Sequence, residues 1–366
     1  MSKLEKLIEE LCPEGVEYKK IGDVCSITRG RVMSKDYIKE NVGEYPVYSS
    51  QTENNGELGC ISTYDFEGEY LTWTTDGANA GSVFYRNGKF SVTNVCGLIK
   101  IKELTVSTRF VYYALSIVAK NYVSSGMGNP KLMSNVMSRV IIPVPPLPVQ
   151  EEIVRILDNF TELTAELTAE LTARKKQYEY YMNMLLKDNT KENARMMHIG
   201  DIYDFKYGTG NTIPTDGGNY PVYGSNGIVG THYEYNSENS PVIGHIGAYA
   251  GIVNWAEGKH FVTYNGVICK HKNLDVNYKF AYYLLLIQDF GSKSKNSSQP
   301  FVSYDVLKEP EVLIPPLPEQ QHIVDILDRF DSLCNDITTG IPAEIEGRQK
   351  QYEYYRDKLL TFKQLS

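Results

Sequence analysis

The sequence predicts an α+β protein built as two tandem globular domains, each followed by a long helix. Three observations lead there. The chain is written twice, each copy opens with short β-like runs broken by turn residues, and each copy closes on a proline stop and a long apolar stripe. Internal repetition is sought first because overlooking it misreads the fold. Ile21-Gly22-Asp23 recurs as Ile199-Gly200-Asp201, and Tyr45-Pro46-Val47-Tyr48 as Tyr220-Pro221-Val222-Tyr223. Pro145-Pro146-Leu147-Pro148 recurs as Pro315-Pro316-Leu317-Pro318. Ile153-Val154, Ile156-Leu157-Asp158 and Phe160 return as Ile323-Val324, Ile326-Leu327-Asp328 and Phe330. Lys176-Gln177-Tyr178-Glu179-Tyr180-Tyr181 returns as Lys350-Gln351-Tyr352-Glu353-Tyr354-Tyr355. Two units of this length are too few and too long for a solenoid. They read as one domain-plus-helix module, duplicated.

Leu4, Leu7, Ile8 and Leu11 fall at helical spacing, so residues 1–15 form an amphipathic helix. It is charged throughout and is not a signal core. The first globular domain covers 16–149, with β-like runs such as Glu69-Tyr70-Leu71-Thr72-Trp73 and turns at Asn55-Gly56 and Asn87-Gly88. A helix is expected near 108–120. The Pro-Pro-Leu-Pro stop fixes φ and removes amide donors, giving a rigid entry to the next element. That element is a helix over 150–188, which carries Ile153, Leu157, Phe160, Leu163, Leu167, Leu171, Tyr178 and Tyr181 on one stripe. Its tract 161–173 repeats Thr-Glu-Leu or Ala-Glu-Leu every four residues. One such unit changes helix length by about 6 Å, so the tract reads as a spacer. The second domain covers 189–318, with a helix expected near 278–289. The last helix, 319–366, carries Ile323, Leu327, Phe330, Tyr352 and Tyr355, and Gly340 with Pro342 predicts a break in it. A stripe this long needs a partner helix, and its sibling is the obvious one, in a coiled coil of either direction.

Composition narrows the function. The 366 residues carry a net charge of −8, whereas nucleic-acid binders usually show a basic footprint. Phosphate contact needs only a local basic surface, and a basic partner can carry much of the load. Six scattered cysteines without a CxxC pair point to free thiols in a reducing cytoplasm and to no zinc site. The longest apolar run, 281–287, is far shorter than the ~20 residues of a membrane span. There is no GxxxxGK[ST] phosphate loop, and Gly208-Thr209-Gly210 is too short for a dinucleotide fingerprint. Asn129-Pro130-Lys131-Leu132 lacks the second proline and aromatic of an amino-methyltransferase motif. No histidine sits at metalloprotease spacing, so no metal and no catalytic residue are expected.

The paired PPLPxQ motifs, Pro145 to Gln150 and Pro315 to Gln320, each lead into ILDxF and KQYEYY helices. Together they closely resemble the specificity subunits of type I restriction–modification enzymes. The resemblance spans nearly the whole chain and is strongest in the helices. It implies two target recognition domains, each reading one half of a split site on double-stranded DNA. It implies two antiparallel helices that set the gap with approximate two-fold symmetry. It also implies docking of two modification subunits that methylate adenine with S-adenosylmethionine, with or without two restriction subunits that use ATP and Mg²⁺. The chain would be a non-catalytic subunit holding no cofactor.

Candidate DNA contacts are Asn129 and Lys131 in the first copy and, at the corresponding point, Lys293, Lys295, Ser298 and Gln299 in the second. Lys supplies charge toward phosphates, and small neighbours allow close approach; an ordinary surface loop is the competing reading. Thr75 and Asn79 correspond to His245 and Tyr249 in a Gly-bounded turn, where Asn suits adenine and a merely structural turn is the alternative. Ser49, Ser50 and Gln51 correspond to the segment holding Ser225 and Asn226. Arg29, Arg31 and Lys206 are candidate phosphate contacts or plain solvated charge. A protein-only coiled-coil adaptor and a tandem carbohydrate-binding module, suggested by 28 tyrosines, are the rival functions.

Overall fold

The first β-run of each copy pairs with the last, so each domain is tied shut at its base. A computed structural model describes residues 2–124, 128–188, 193–210, 217–293 and 300–365. It divides into two compact units, 1–167 with 345–366, and 168–344.

In the first unit, α1 (Lys3–Leu11) carries a capping box, Ser2 with Glu5. Its strands are β1 (Glu17–Lys20), β2 (Cys25–Arg29), β3 (Val42–Tyr48), β4 (Glu57–Ile61), β5 (Phe66–Thr74), β6 (Val83–Val92), β7 (Cys96–Ile101) and β8 (Ile141–Val144), with short helices α2 (Ile21–Val24) and α3 (Lys35–Glu40). β1 pairs with β8, and the remaining six form one sheet in the order β2-β7-β5-β6-β3-β4. β3 runs parallel to β6; the other neighbours are antiparallel. Helix α4 (Thr108–Val118), capped by the Ser107 hydroxyl, covers one face. Its Phe110 and Tyr113 bury Leu71, Trp73 and Ile99. Tyr70, Phe90, Val92 and Leu98 pack on the other face. A short helix α5 (Ser134–Met137) precedes β8.

Helix α6 runs Leu147–Leu186. It begins within the proline motif because Pro148 sits in the first turn, where no amide donor is needed.

The second unit repeats this plan. β9 (Arg195–His198) pairs with β16 (Glu311–Ile314), with α7 (Ile199–Ile202) directly after β9. β10 (Tyr203–Tyr207), β11 (Tyr220–Gly224), β12 (Gly227–His232), β13 (Ser237–Gly244), β14 (Val253–Val262) and β15 (Gly266–His271) form a sheet of identical topology, β10-β15-β13-β14-β11-β12. α8 (Tyr278–Leu286), capped by Asn277, covers it, and α9 (Tyr304–Lys308) precedes β16. The closing helix is two helices, α10 (Leu317–Asn335) and α11 (Ile341–Leu359). Asp336 stops the first by accepting from the amide of Thr338 at 2.7 Å. A side chain at Gly340 would meet the Ser332 carbonyl at 2.5 Å.

The helices pair reciprocally within each unit. Phe160 stacks on Tyr355 at 5.6 Å in the first, and Phe330 on Tyr181 at 5.5 Å and Tyr178 at 6.1 Å in the second. The phenylalanine of either copy meets the tyrosines of the other, as antiparallel segments require. Ile153, Leu157, Ile323 and Leu327 are fully buried, and Tyr352 packs against the first core. Leu171 lies at the edge of the second core. The stripe weakens between these ends: Leu163 is 45% exposed and Leu167 half-buried. Leu163 is thus more exposed within this chain than the rest of the expected stripe, because the four-residue repeat drifts around a helix of 3.6 residues per turn.

Candidate nucleic-acid interface

Four loops meet at one end of each six-stranded sheet. In the first unit these are 49–52 after β3, the turn 75–81 after β5, 93–95 between β6 and β7, and 128–132. Hydroxyls and amides lock them together. The Ser50 hydroxyl donates to the Val95 carbonyl and accepts from the Thr75 amide at 3.0 Å. The Thr75 hydroxyl also donates to Val95, at 2.7 Å. Asn79 Nδ2 donates to Thr52 Oγ1 at 2.9 Å, and the Ser49 and Thr93 hydroxyls lie 2.9 Å apart. The Gly77 amide donates to the Pro130 carbonyl at 3.0 Å, and Leu132 to Thr75 at 2.9 Å. Gly81 closes the turn at φ +84°, a left-handed conformation that favours glycine.

The second unit builds the same frame from different side chains. The Ser225 hydroxyl donates to the carbonyls of Ile246 (2.9 Å) and Asn265 (3.0 Å). The Gly247 amide donates to Pro300 at 2.8 Å, and Val302 to His245 at 2.9 Å. Tyr304, Tyr207 and His245 stack in series, with ring centres 4.2 and 4.1 Å apart. Gly251, at φ +91°, abuts the backbone of Gly291, which brings Lys293 to the same end.

This geometry sorts the candidate residues. Asn79, Asn129 and Lys131 are exposed at the loop end of the first unit, with Gln51 half-buried beside them. Asn226, Tyr249 and Lys293 are exposed at the loop end of the second, Tyr249 occupying the position that Asn79 holds in the first. Thr75 and His245 are buried, with the Thr75 hydroxyl and a His245 ring nitrogen engaged with loop carbonyls, so both belong to the frame beneath the surface. Arg29 is half-buried and donates to the Ser134 hydroxyl at 3.3 Å. Arg31 donates to the Tyr37 hydroxyl and pairs with Asp65 at 3.0 Å, which together hold its guanidinium above its usual range and neutralise its charge locally. Lys206 does not join the loop end: it lines a hollow with Asp204, Ser237 and Ser240, at the start of β13 rather than its end. Lys295, Ser298 and Gln299 lie outside the described residues.

Several functional supports escaped the sequence reading. Arg86 is buried and holds the 49–56 loop from below. Its Nη2 donates to the Asn55 carbonyl at 2.7 Å, its Nε to Thr72 Oγ1 at 3.0 Å, and its guanidinium lies 3.6 Å from the Tyr48 ring centre. Burial pushes its pKa down, against the tyrosine that favours the cation. Nothing in an isolated Arg86 signals this. Gln150 and Gln320 are buried and hydrogen-bonded at equivalent places, and Asp158 and Asp328 each accept from a tyrosine hydroxyl, Tyr113 and Tyr283. Their recurrence inside the PPLPxQ and ILDxF motifs was the available signal. Among the described residues no cluster of His, Cys, Asp or Glu is arranged to hold a metal ion, and no helix is long and apolar enough to cross a membrane.

The chain matches the model of the type I restriction modification DNA specificity domain twice, over residues 13–174 and 191–347. It is 36% identical to S.MpnORF507P of Mycoplasma pneumoniae, named as a putative type I specificity subunit, over 93% of this chain and 96% of that one. It is 46% identical to the specificity subunit of the type I restriction enzyme MpnII of the same organism, over 45% of this chain and 51% of that one. The fold is similar to the crystal structure of the S subunit of a type I restriction-modification system from M. genitalium, with a TM-score of 0.65 at 18% identity, covering 94% and 96% of the two chains. A second type I structure, from work on complex assembly and conformational transition, gives 0.57 at 14% identity over 96% and 98%.

Proposed function

The chain belongs to the type I restriction–modification DNA specificity family, and from that premise we propose that its two recognition domains read the two halves of a bipartite DNA site while its helices fix the gap. One observation carries the reading. Two domains of identical strand order present the same four-loop end, framed alike by Ser50 and Ser225, yet armed with different exposed groups. Equal frames suit two readers taking equivalent poses on a duplex with approximate two-fold symmetry. Different tips then read an asymmetric sequence.

In the first domain the amides of Asn79, Asn129 and Gln51 face base edges, where Asn and Gln pair with adenine, and Lys131 faces phosphate. In the second, Asn226 and Tyr249 face the bases, and Lys293 the backbone. The segment holding Lys295, Ser298 and Gln299 belongs to the same contact set. Base chemistry falls to partner modification subunits carrying S-adenosylmethionine, and cleavage, where restriction subunits join, to ATP and Mg²⁺ on those partners. Tyr180 and Tyr354, exposed at equivalent positions of the two KQYEYY segments, suit a docking surface met twice by the same partner. The acidic balance of this chain suits partners that bring positive charge to the DNA.

The experiment is co-expression with the cognate modification subunits and sequencing of methylated adenines. A single motif of two half-sites at a fixed gap is expected. DNA left unmethylated by an assembled complex refutes the proposal.

A further inference from the structure

Besides the apolar packing of Ile153 and Leu157, or of Ile323 and Leu327, two sets of polar contacts repeated in both units fasten each recognition domain to its helix. In the first set, Gln150 accepts from the Ser107 amide at 2.9 Å and donates to the carbonyls of Thr105 (3.0 Å) and Pro145 (2.7 Å). Gln320 accepts from the Asn277 amide at 2.7 Å and donates to Asp275 (3.1 Å) and Pro315 (2.7 Å). Both glutamines are buried, so neither amide has water as an alternative partner. In the second set, Asp158 accepts from the Tyr113 hydroxyl and from Arg109 Nε at 2.9 Å, and Asp328 accepts from the Tyr283 hydroxyl. The phenol of each tyrosine is held above its ordinary range, by burial first and by the aspartate next.

We propose that Gln150 with Asp158, and Gln320 with Asp328, form two-point latches that set the tilt of each recognition domain on its helix and thereby the number of base pairs between the half-sites. These are positioning residues, and the assignment rests on the bipartite reading above. Glutamine and aspartate lie eight residues apart, about 12 Å along the helix. One anchor leaves a pivot; two anchors about 12 Å apart fix a direction. The glutamine holds the segment after β7 or β15, and the reading loops sit at the start of those strands. β7 is six residues long, so the lever is roughly 20 Å. A tilt of about 10° then moves the loops by about 3.4 Å, one base-pair step. The latches are not equal. Arg109 adds an ion pair to Asp158 in the first domain, whereas Lys279, at the matching position, lies 5.2 Å from the Trp255 ring instead.

The test is methylome sequencing of the full chain assembled with its modification subunits. Tyr113→Phe and Tyr283→Phe remove only a hydroxyl, and Asp158→Ala and Asp328→Ala remove the acceptor. Asp158→Asn retains one. Methylation at gaps one base pair shorter or longer should rise about five- to tenfold, as loss of one such hydrogen bond allows, with both half-site sequences unchanged. Tyr283→Phe should act more strongly than Tyr113→Phe, because Arg109 backs up the first latch. Asp158→Asn should restore the single gap. Variants that keep one gap, or lose methylation evenly at every gap in step with their melting temperature, overturn the latch. If Asp158→Ala fails to fold, the tyrosine variants decide. A wild-type complex that methylates a continuous motif instead refutes the bipartite reading itself, and is told apart by needing no variant.

Discussion

Arg86→Met separates one half of the site from the other. The substitution keeps a long apolar side chain on the Tyr48 ring and removes the charge. Two donors are lost, to Thr72 Oγ1 and to the Asn55 carbonyl. Asn55 is exposed and rehydrates, but Thr72 is buried and its hydroxyl loses this partner, which costs about 1–3 kcal/mol. Loss of a desolvated cation–π contact adds about 1–2 kcal/mol. Against this, a buried charge no longer needs to be desolvated, which returns part of the cost. The net is destabilisation of about 2 kcal/mol, a fall in Tm of roughly 4–8 °C for a domain of this size. Because Arg86 lies in the first domain and holds its 49–56 loop, the first half-site should degenerate at one or two positions while the second stays sharp. The assay is thermal melting by circular dichroism alongside methylome sequencing. A variant with wild-type Tm and an unaltered first half-site would show that the buried cation does not hold the loop. Blurring of both half-sites would show that the two readers are not independent.

The remaining predictions concern spacing, charge and pH. Deleting residues 164–167 shortens the helix by about 6 Å, so the gap should shrink by one or two base pairs with both half-sites intact; altered half-sites at the old gap would refute the spacer role. Lys131→Ala and Lys293→Ala should each lower the salt slope of DNA binding by about one, read from binding isotherms across a salt series, with little change in sequence preference. Glu152 is buried and held at a pKa of about 2 by hydrogen bonds from Arg155 and Lys3, so it pins α1 to α6. Its folded pKa lies below the unfolded value, so this stabilisation is complete above about pH 4.5 and is lost as pH falls toward 2. Glu152→Gln should flatten that part of the stability–pH curve, measured by denaturant melts; an unchanged acid limb would show that the pin contributes nothing.

The sequence alone determined the duplicated architecture, because periodicity, prolines and turn residues act locally. Hydrophobic spacing marked the helices, Gly340 and Pro342 marked the break, and the repeated motifs carried the family. It also marked the turns holding Asn79 and Tyr249, since glycine at fixed positions is a local requirement. Tertiary structure decided which polar groups face outward and which are consumed within. Thr75 and His245 look like contacts in a linear reading and are buried in the loop frame, because hydrogen-bond partners such as Val95 and Tyr264 arrive from separate loops about twenty residues further along the chain. Lys206 shares a hollow with Asp204 while its neighbour Tyr207 joins the His245 stack, because successive side chains of a strand point to opposite faces. Arg86 became visible only when the β3–β4 loop folded over it. Sequence spacing records what a backbone needs from its neighbours; what a side chain meets across the fold is fixed only by packing.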